Sequence, residues 1–204
     1  MKKTLALLAA TGLLLVAGCH VQVNKNSDGT EKNVKIETPL GGLHVRSGDT
    51  NAADVGLPVY PGAKIAPDKD GDKSADVHMG FGQWQLRVKV VNYDTSDPQD
   101  KVLAFYQKAL GRFGDVVRCQ GDHAVGTPTV TQEGLGCSNA DVNGQVNVGH
   151  GASVYVSDGL TLKAGSRHHQ HILGIEKNDG PGTRFALIEL QLPAAIDKDS
   201  SKSE

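Results

Sequence analysis

The sequence predicts an α+β fold: an antiparallel sheet with one main amphipathic helix, preceded by a polar tether with short strands. Two observations carry this expectation. Segments that alternate apolar and polar residues outnumber those of helical period, which favours a sheet with a single helix packed on it. The 204-residue chain also has 25 glycines and only 4% aromatic residues, a mix that suits turn-rich β structure better than a helical bundle.

Taken in order, residues 19–54 are polar with two short alternating stretches, Val21-Gln22-Val23 and Val34-Lys35-Ile36, on either side of the turn-like Ser27-Asp28-Gly29-Thr30. They read as a tether or as a small β hairpin region. Leu43-His44-Val45-Arg46 adds a short strand, and Ser47 to Ala53 has loop composition. The domain, 55–193, opens on Leu57-Pro58-Val59-Tyr60-Pro61-Gly62-Ala63, where two prolines exclude helix and Pro61-Gly62 is a turn dipeptide. A loop is expected over Pro67 to Ala75. Along Gln83 to Val90 the alternation predicts a strand with Trp84, Leu86, Val88 and Val90 on one buried face.

The helix follows, with Asp97 as cap, Pro98 at its first position and Asp100 in the first turn, where the helix dipole favours an anion. Val102, Phe105, Tyr106, Ala109, Leu110 and Phe113 recur at helical spacing as one apolar stripe, and Gly111 or Gly114 ends it. Further strands are expected at Val116 to Cys119, Gln145 to Val148, Ser153 to Val156, Leu160 to Lys163, His169 to Glu176 and Arg184 to Leu192. The last two are joined by the hairpin connection Asn178-Asp179-Gly180-Pro181-Gly182. Residues 194–204 are charged and serine-rich and read as a disordered tail.

Residues 1–18 have the layout of an export signal: cationic Lys2 and Lys3, an apolar run from Leu5 to Ala17, then the small residues Ala17-Gly18 before a cysteine. The run is shorter than the roughly 20 apolar residues a spanning helix needs. Val16-Ala17-Gly18-Cys19 resembles the lipobox of bacterial lipoproteins. That resemblance implies a diacylglyceryl group on the Cys19 thiol, cleavage before Cys19 and often acylation of its new amino group, which attaches the chain to a membrane. Two or more acyl chains give stable anchoring where one gives only marginal binding. His20 stands where this family carries Asp for inner-membrane retention, so the resemblance favours the outer membrane of a two-membrane bacterium. In addition Leu57 to Ala63, followed by Thr95-Ser96-Asp97, Lys101-Val102 and Phe105-Tyr106, resembles a domain of uncharacterised role that recurs in bacterial lipoproteins with a Tyr-Pro-Gly-Ala motif. It covers about a third of the chain.

The charge balance of 21 basic against 23 acidic residues gives no field that would draw in nucleic acid, and none is expected as partner. Of three cysteines, lipidation of Cys19 leaves Cys119 and Cys137. In an oxidising compartment they read as a disulfide, worth on the order of 3 kcal/mol in loop-closure entropy. Two buried thiols or a metal pair are the competing readings. Neither cysteine has C-x-x-C spacing or a flanking histidine.

Three stretches invite chemistry. Asp68, Asp70 and Asp72 could converge on a hard cation, but the loop lacks the glycine and glutamate of an EF-hand register and reads as a solvated acidic turn. In Arg167-His168-His169-Gln170-His171, a strand would put His169 and His171 on one face as half of a metal site. Gly149-His150-Gly151-Ala152-Ser153 lacks the Gly-x-Ser-x-Gly elbow and reads as a turn. No cofactor, resident metal or catalytic residue is assigned. The expectation is therefore a membrane-anchored exported lipoprotein of non-enzymatic role, either binding an envelope protein or cell-wall component or serving as a structural part of the envelope. A small-ligand or metal-binding module, or a cell-envelope hydrolase, are the alternatives.

Overall fold

Stretches with an apolar face and a period of two pair edge to edge, and here they build one long antiparallel sheet. The computed structural model describes residues 20–25, 32–67, 73–137, 146–148, 152–154, 159–176 and 180–193. Residues 1–18, Cys19, Asp68 to Asp72, His150 and residues 194–204, on which the expectations of a signal, an anchor, a cation loop, a turn and a disordered tail fall, lie outside the described residues. The strands are β1 His20–Lys25, β2 Lys32–Thr38, β3 Gly41–Ser47, β4 Lys64–Ile65, β5 Ser74–Phe81, β6 Trp84–Thr95, β7 Val116–Gln120, β8 His123–Ala124, β9 Val146–Val148, β10 Ala152–Val154, β11 Leu160–Gly165, β12 His169–Glu176 and β13 Thr183–Gln191. One helix, α1 Gln99–Leu110, continues into a 3-10 turn at Gly111–Phe113. The main sheet runs β1-β2-β3-β5-β6-β13-β12-β11-β7-β8, and β4 extends the β5 side of β6; β9 and β10 pair separately. The protein is thus mainly β with a little helix.

β1, β2 and β3 are three strands of this same sheet, since β1 pairs with β2, β2 with β3, and β3 with β5 along its whole length. The segment after them is no spacer either: Ala52, Val55 and Leu57 are buried in the core under α1. The expected loop over Pro67 to Ala75 gives way to β5 from Ser74 onward, because Ala75, Val77 and Met79 alternate with Asp76 and His78 and hairpin onto β6.

The helix carries the apolar stripe that the spacing predicts, with Val102, Tyr106 and Leu110 buried and Leu103 added to them. Its cap differs from expectation. Pro98 occupies the capping position, and the Asp97 carboxylate accepts hydrogen bonds from Tyr60 Oη at 2.8 Å and Lys101 Nζ at 3.1 Å instead of capping. Tyr60 can reach Asp97 because Pro61-Gly62 folds a tight turn, with Ala63 N donating to Tyr60 O and Gly62 at φ +78°. Tyr60 also packs on Phe105 and Tyr106, with ring centroids at 5.1 and 6.5 Å. The separated pieces of the Tyr-Pro-Gly-Ala pattern therefore meet in one cluster.

The sheet buries both faces in its middle. On the helix side, Val91, Tyr93, Leu162, Leu173, Phe185 and Leu187 pack against α1; on the other, Val77, Val88, Val90, Ile172, Ile188 and Leu190 form a second cluster. The predicted row Trp84, Leu86, Val88 and Val90 shares that second face by alternation, with Val88 and Val90 buried and Trp84 and Leu86 partly so. Beside it, Cys119 and Cys137 form a buried disulfide with Cα atoms 5.6 Å apart. Removing it with Cys119→Ser and Cys137→Ser is expected to cost about 3 kcal/mol, by release of the unfolded loop. Urea unfolding of the double variant checks this, and an unchanged midpoint would contradict it.

Candidate functional site

On the helix side of the sheet, the apolar floor ends where α1 ends, and the next rows are charged. The pairing register aligns His171 with Glu189, Glu189 with Lys89, Lys89 with Asp76, and Asp76 with Arg46, a single row across β12, β13, β6, β5 and β3. The neighbouring row aligns His169, Gln191, Arg87, His78 and His44. Acids and bases alternate along the first row, so Asp76 lies between the cations Lys89 and Arg46, and Glu189 between Lys89 and the His171 imidazole.

Contacts follow the register. Glu189 Oε2 accepts from Lys89 Nζ at 2.6 Å, and its Oε1 accepts from His169 Nε2 and Gln191 Nε2, each at 2.9 Å. Burial pushes the Glu189 carboxyl up, but the donors from Lys89, His169 and Gln191 outweigh it and hold its pKa down at about 2. Asp76 takes Arg87 through Nε at 3.2 Å and Nη2 at 2.9 Å, and Arg46 through Nη2 at 3.1 Å. There too burial raises the pKa and the arginines more than reverse it.

The loop between β3 and β4 leans over these rows. Lys89 Nζ donates to Asp54 O at 2.6 Å, Thr50 N donates to Ser74 Oγ, and His171 Nδ1 donates to Val55 O at 3.1 Å. Between loop and sheet is a cavity of about 170 Å³ lined by Arg46, Asp49, Thr50, Asp54, Asp76, Arg87 and Lys89. Three cations and three carboxylates leave it close to neutral. Such a lining suits a polar group offering both donors and acceptors better than a highly charged one.

His169 and His171 do share a face, as the period of two requires, with ring centroids 4.8 Å apart. Both rings have protein partners. His169 is hydrogen-bonded to Glu189, while His171 stacks on Phe113 at 3.6 Å and spends its Nδ1–H on Val55. Burial lowers the His171 pKa, so the ring favours its neutral form. Among the described residues, no group of three or more His, Cys, Asp or Glu could hold a metal ion.

No family model, curated protein or solved structure matches this chain. Among the described residues, no helix is long and apolar enough to cross a membrane.

The sequence reading missed Arg46, Asp76, Arg87, Lys89 and Glu189. Their signal was present as the polar half of each alternating strand, and it lacked only the register that lines them up. Lys163 was missed as well. It sits on the opposite face, 2% exposed, between Val117 and Ile172 in register, with its Nζ 3.5 Å from Cys137 O, and burial lowers its pKa.

Proposed function

We propose that this chain is an exported lipoprotein, held in the cell envelope by acyl chains on Cys19, that acts by binding an envelope protein or cell-wall component and performs no catalysis. The observation that carries the reading is Val16-Ala17-Gly18-Cys19 at the end of a cationic start and an apolar run. The buried Cys119–Cys137 bond supports an oxidising compartment, where disulfides persist. His20 after the cysteine favours an outer membrane where two membranes exist.

The reading predicts that cells fed labelled palmitate incorporate it into the wild-type protein and not into Cys19→Ser. Crosslinking in those cells should capture a defined envelope component with the wild type and lose it with Cys19→Ser. Equal labelling of both forms would remove the anchor, and crosslinked material identical to that of an unrelated lipoprotein would remove the binding role.

A further inference from the structure

The lipid attachment proposed above, on which this inference rests, falls at a particular place on the fold. β1 begins at His20, one residue after Cys19, and His20 lies opposite Glu37 in the register with β2. The start of β1 is therefore at the end of the sheet where β2 turns into β3 through Pro39 and Leu40. Gly41 of β3 lies opposite Phe81, and Phe81 opposite Trp84, so the tight turn between β5 and β6 is at the same end.

Large apolar side chains gather at these two turns. Leu40 is 83% exposed and Phe81 51%, while Trp84 is half-buried with its ring centroid 6.0 Å from that of Phe81. Gly41 fits them together: a Cβ there would meet Gly80 O at 2.2 Å and the Phe81 ring at 2.4 Å, so the ring lies against the backbone of the neighbouring turn. Val21 and Val23, also exposed, continue the apolar surface along β1. Across residues 36–43 and 79–86 the sequence holds one charged side chain, Glu37, and Lys35 neutralises it at 2.6 Å.

We propose that this end of the sheet is a membrane-contact surface, with Leu40, Phe81 and Trp84 seated at the boundary between phospholipid headgroups and acyl chains beside Cys19. A single residue spans about 3.5 Å, so an anchored Cys19 cannot hold the sheet end away from the bilayer. Trp is enriched at that boundary, and Phe and Leu bury there in surface-bound segments.

Trp84 is the single tryptophan of the chain, which makes it a site-specific reporter. The full lipidated protein, reconstituted into vesicles of phosphatidylethanolamine and phosphatidylglycerol, is floated on a density gradient and its emission read with and without lipids brominated on their acyl chains. Co-flotation with a blue-shifted emission that bromine lowers about two-fold is the expected result for an interfacial indole. Co-flotation with unquenched emission would overturn the contact surface and leave the anchor standing. A protein that neither takes up palmitate nor floats would remove both.

Discussion

Phe185→Ala is expected to lower stability by about 4 kcal/mol, in the range for deleting a buried phenylalanine, because the cavity left behind cannot collapse. Phe185 is wholly buried on β13, and three aromatic rings surround it: Tyr93 stacked at 5.6 Å, Tyr106 at 5.5 Å and Tyr60 at 6.3 Å. Each is fixed from elsewhere. Tyr106 Oη donates to Pro58 O, Tyr60 Oη donates to Asp97, and Tyr93 Oη accepts from Ala52 N. Inward movement of any ring to fill the gap would break its own polar contact. Phe185→Leu, which keeps most of the volume, should cost well under half as much. Urea unfolding of the two variants provides the measurement, and equal losses would contradict the account of a ring held on three sides.

The second large effect is expected at Glu189. Its side chain is 10% exposed and that of Lys89 14%, so Glu189→Ala leaves the Lys89 ammonium with Asp54 O as its hydrogen-bond acceptor and Asp76 as the neighbouring carboxylate. Loss of one partner of such a pair costs about 4 kcal/mol, mostly through the charge left behind. The double variant Lys89→Met, Glu189→Leu should recover most of that. A double variant as unstable as Glu189→Ala would show that packing rather than charge is at stake.

The same group sets the acid behaviour. With the folded pKa depressed to about 2, the stabilisation is complete above the ordinary glutamate value of about 4.3 and is lost as pH falls through about 2, since the unfolded chain takes the proton first. Asp76 acts in the same direction, and His171, lowered by burial, begins to cost stability as pH falls below about 6.5. Glu189→Gln should flatten the limb between about pH 4.3 and about pH 2, as urea midpoints across that range would reveal.

Local pattern carried the sequence reading as far as local physics reaches. The helical stripe from Val102 to Leu110 and the alternation of β6 up to Val90 were legible because burial on one face imposes a period. The alternation stops at Val90-Val91, where β6 enters the middle of the sheet and both faces are covered, so its course to Thr95 had no periodic signal. β5 was missed although Ala75, Val77 and Met79 alternate, because acidic residues at 68, 70 and 72 precede it and glycines fall at its end. The charged rows could not be read at all, because Lys89 and Glu189 become neighbours only when strands 100 residues apart are set in register. Sharing of a face by His169 and His171 was foreseeable, whereas the Glu189 that occupies His169 was not.

β13, the last of the described strands in sequence, sits between β6 and β12 in the middle of the sheet. For a chain that emerges from its amino end, this has a consequence in time. β1, β2, β3, β5 and β6 can pair as successive neighbours while the rest of the chain is still arriving, but they cannot join β12, β11 and β7 until β13 arrives. Closure then needs contacts of high sequence separation, which fold slowly. Until that strand docks, β6 presents an unpaired edge, the kind of surface on which partly folded β chains associate.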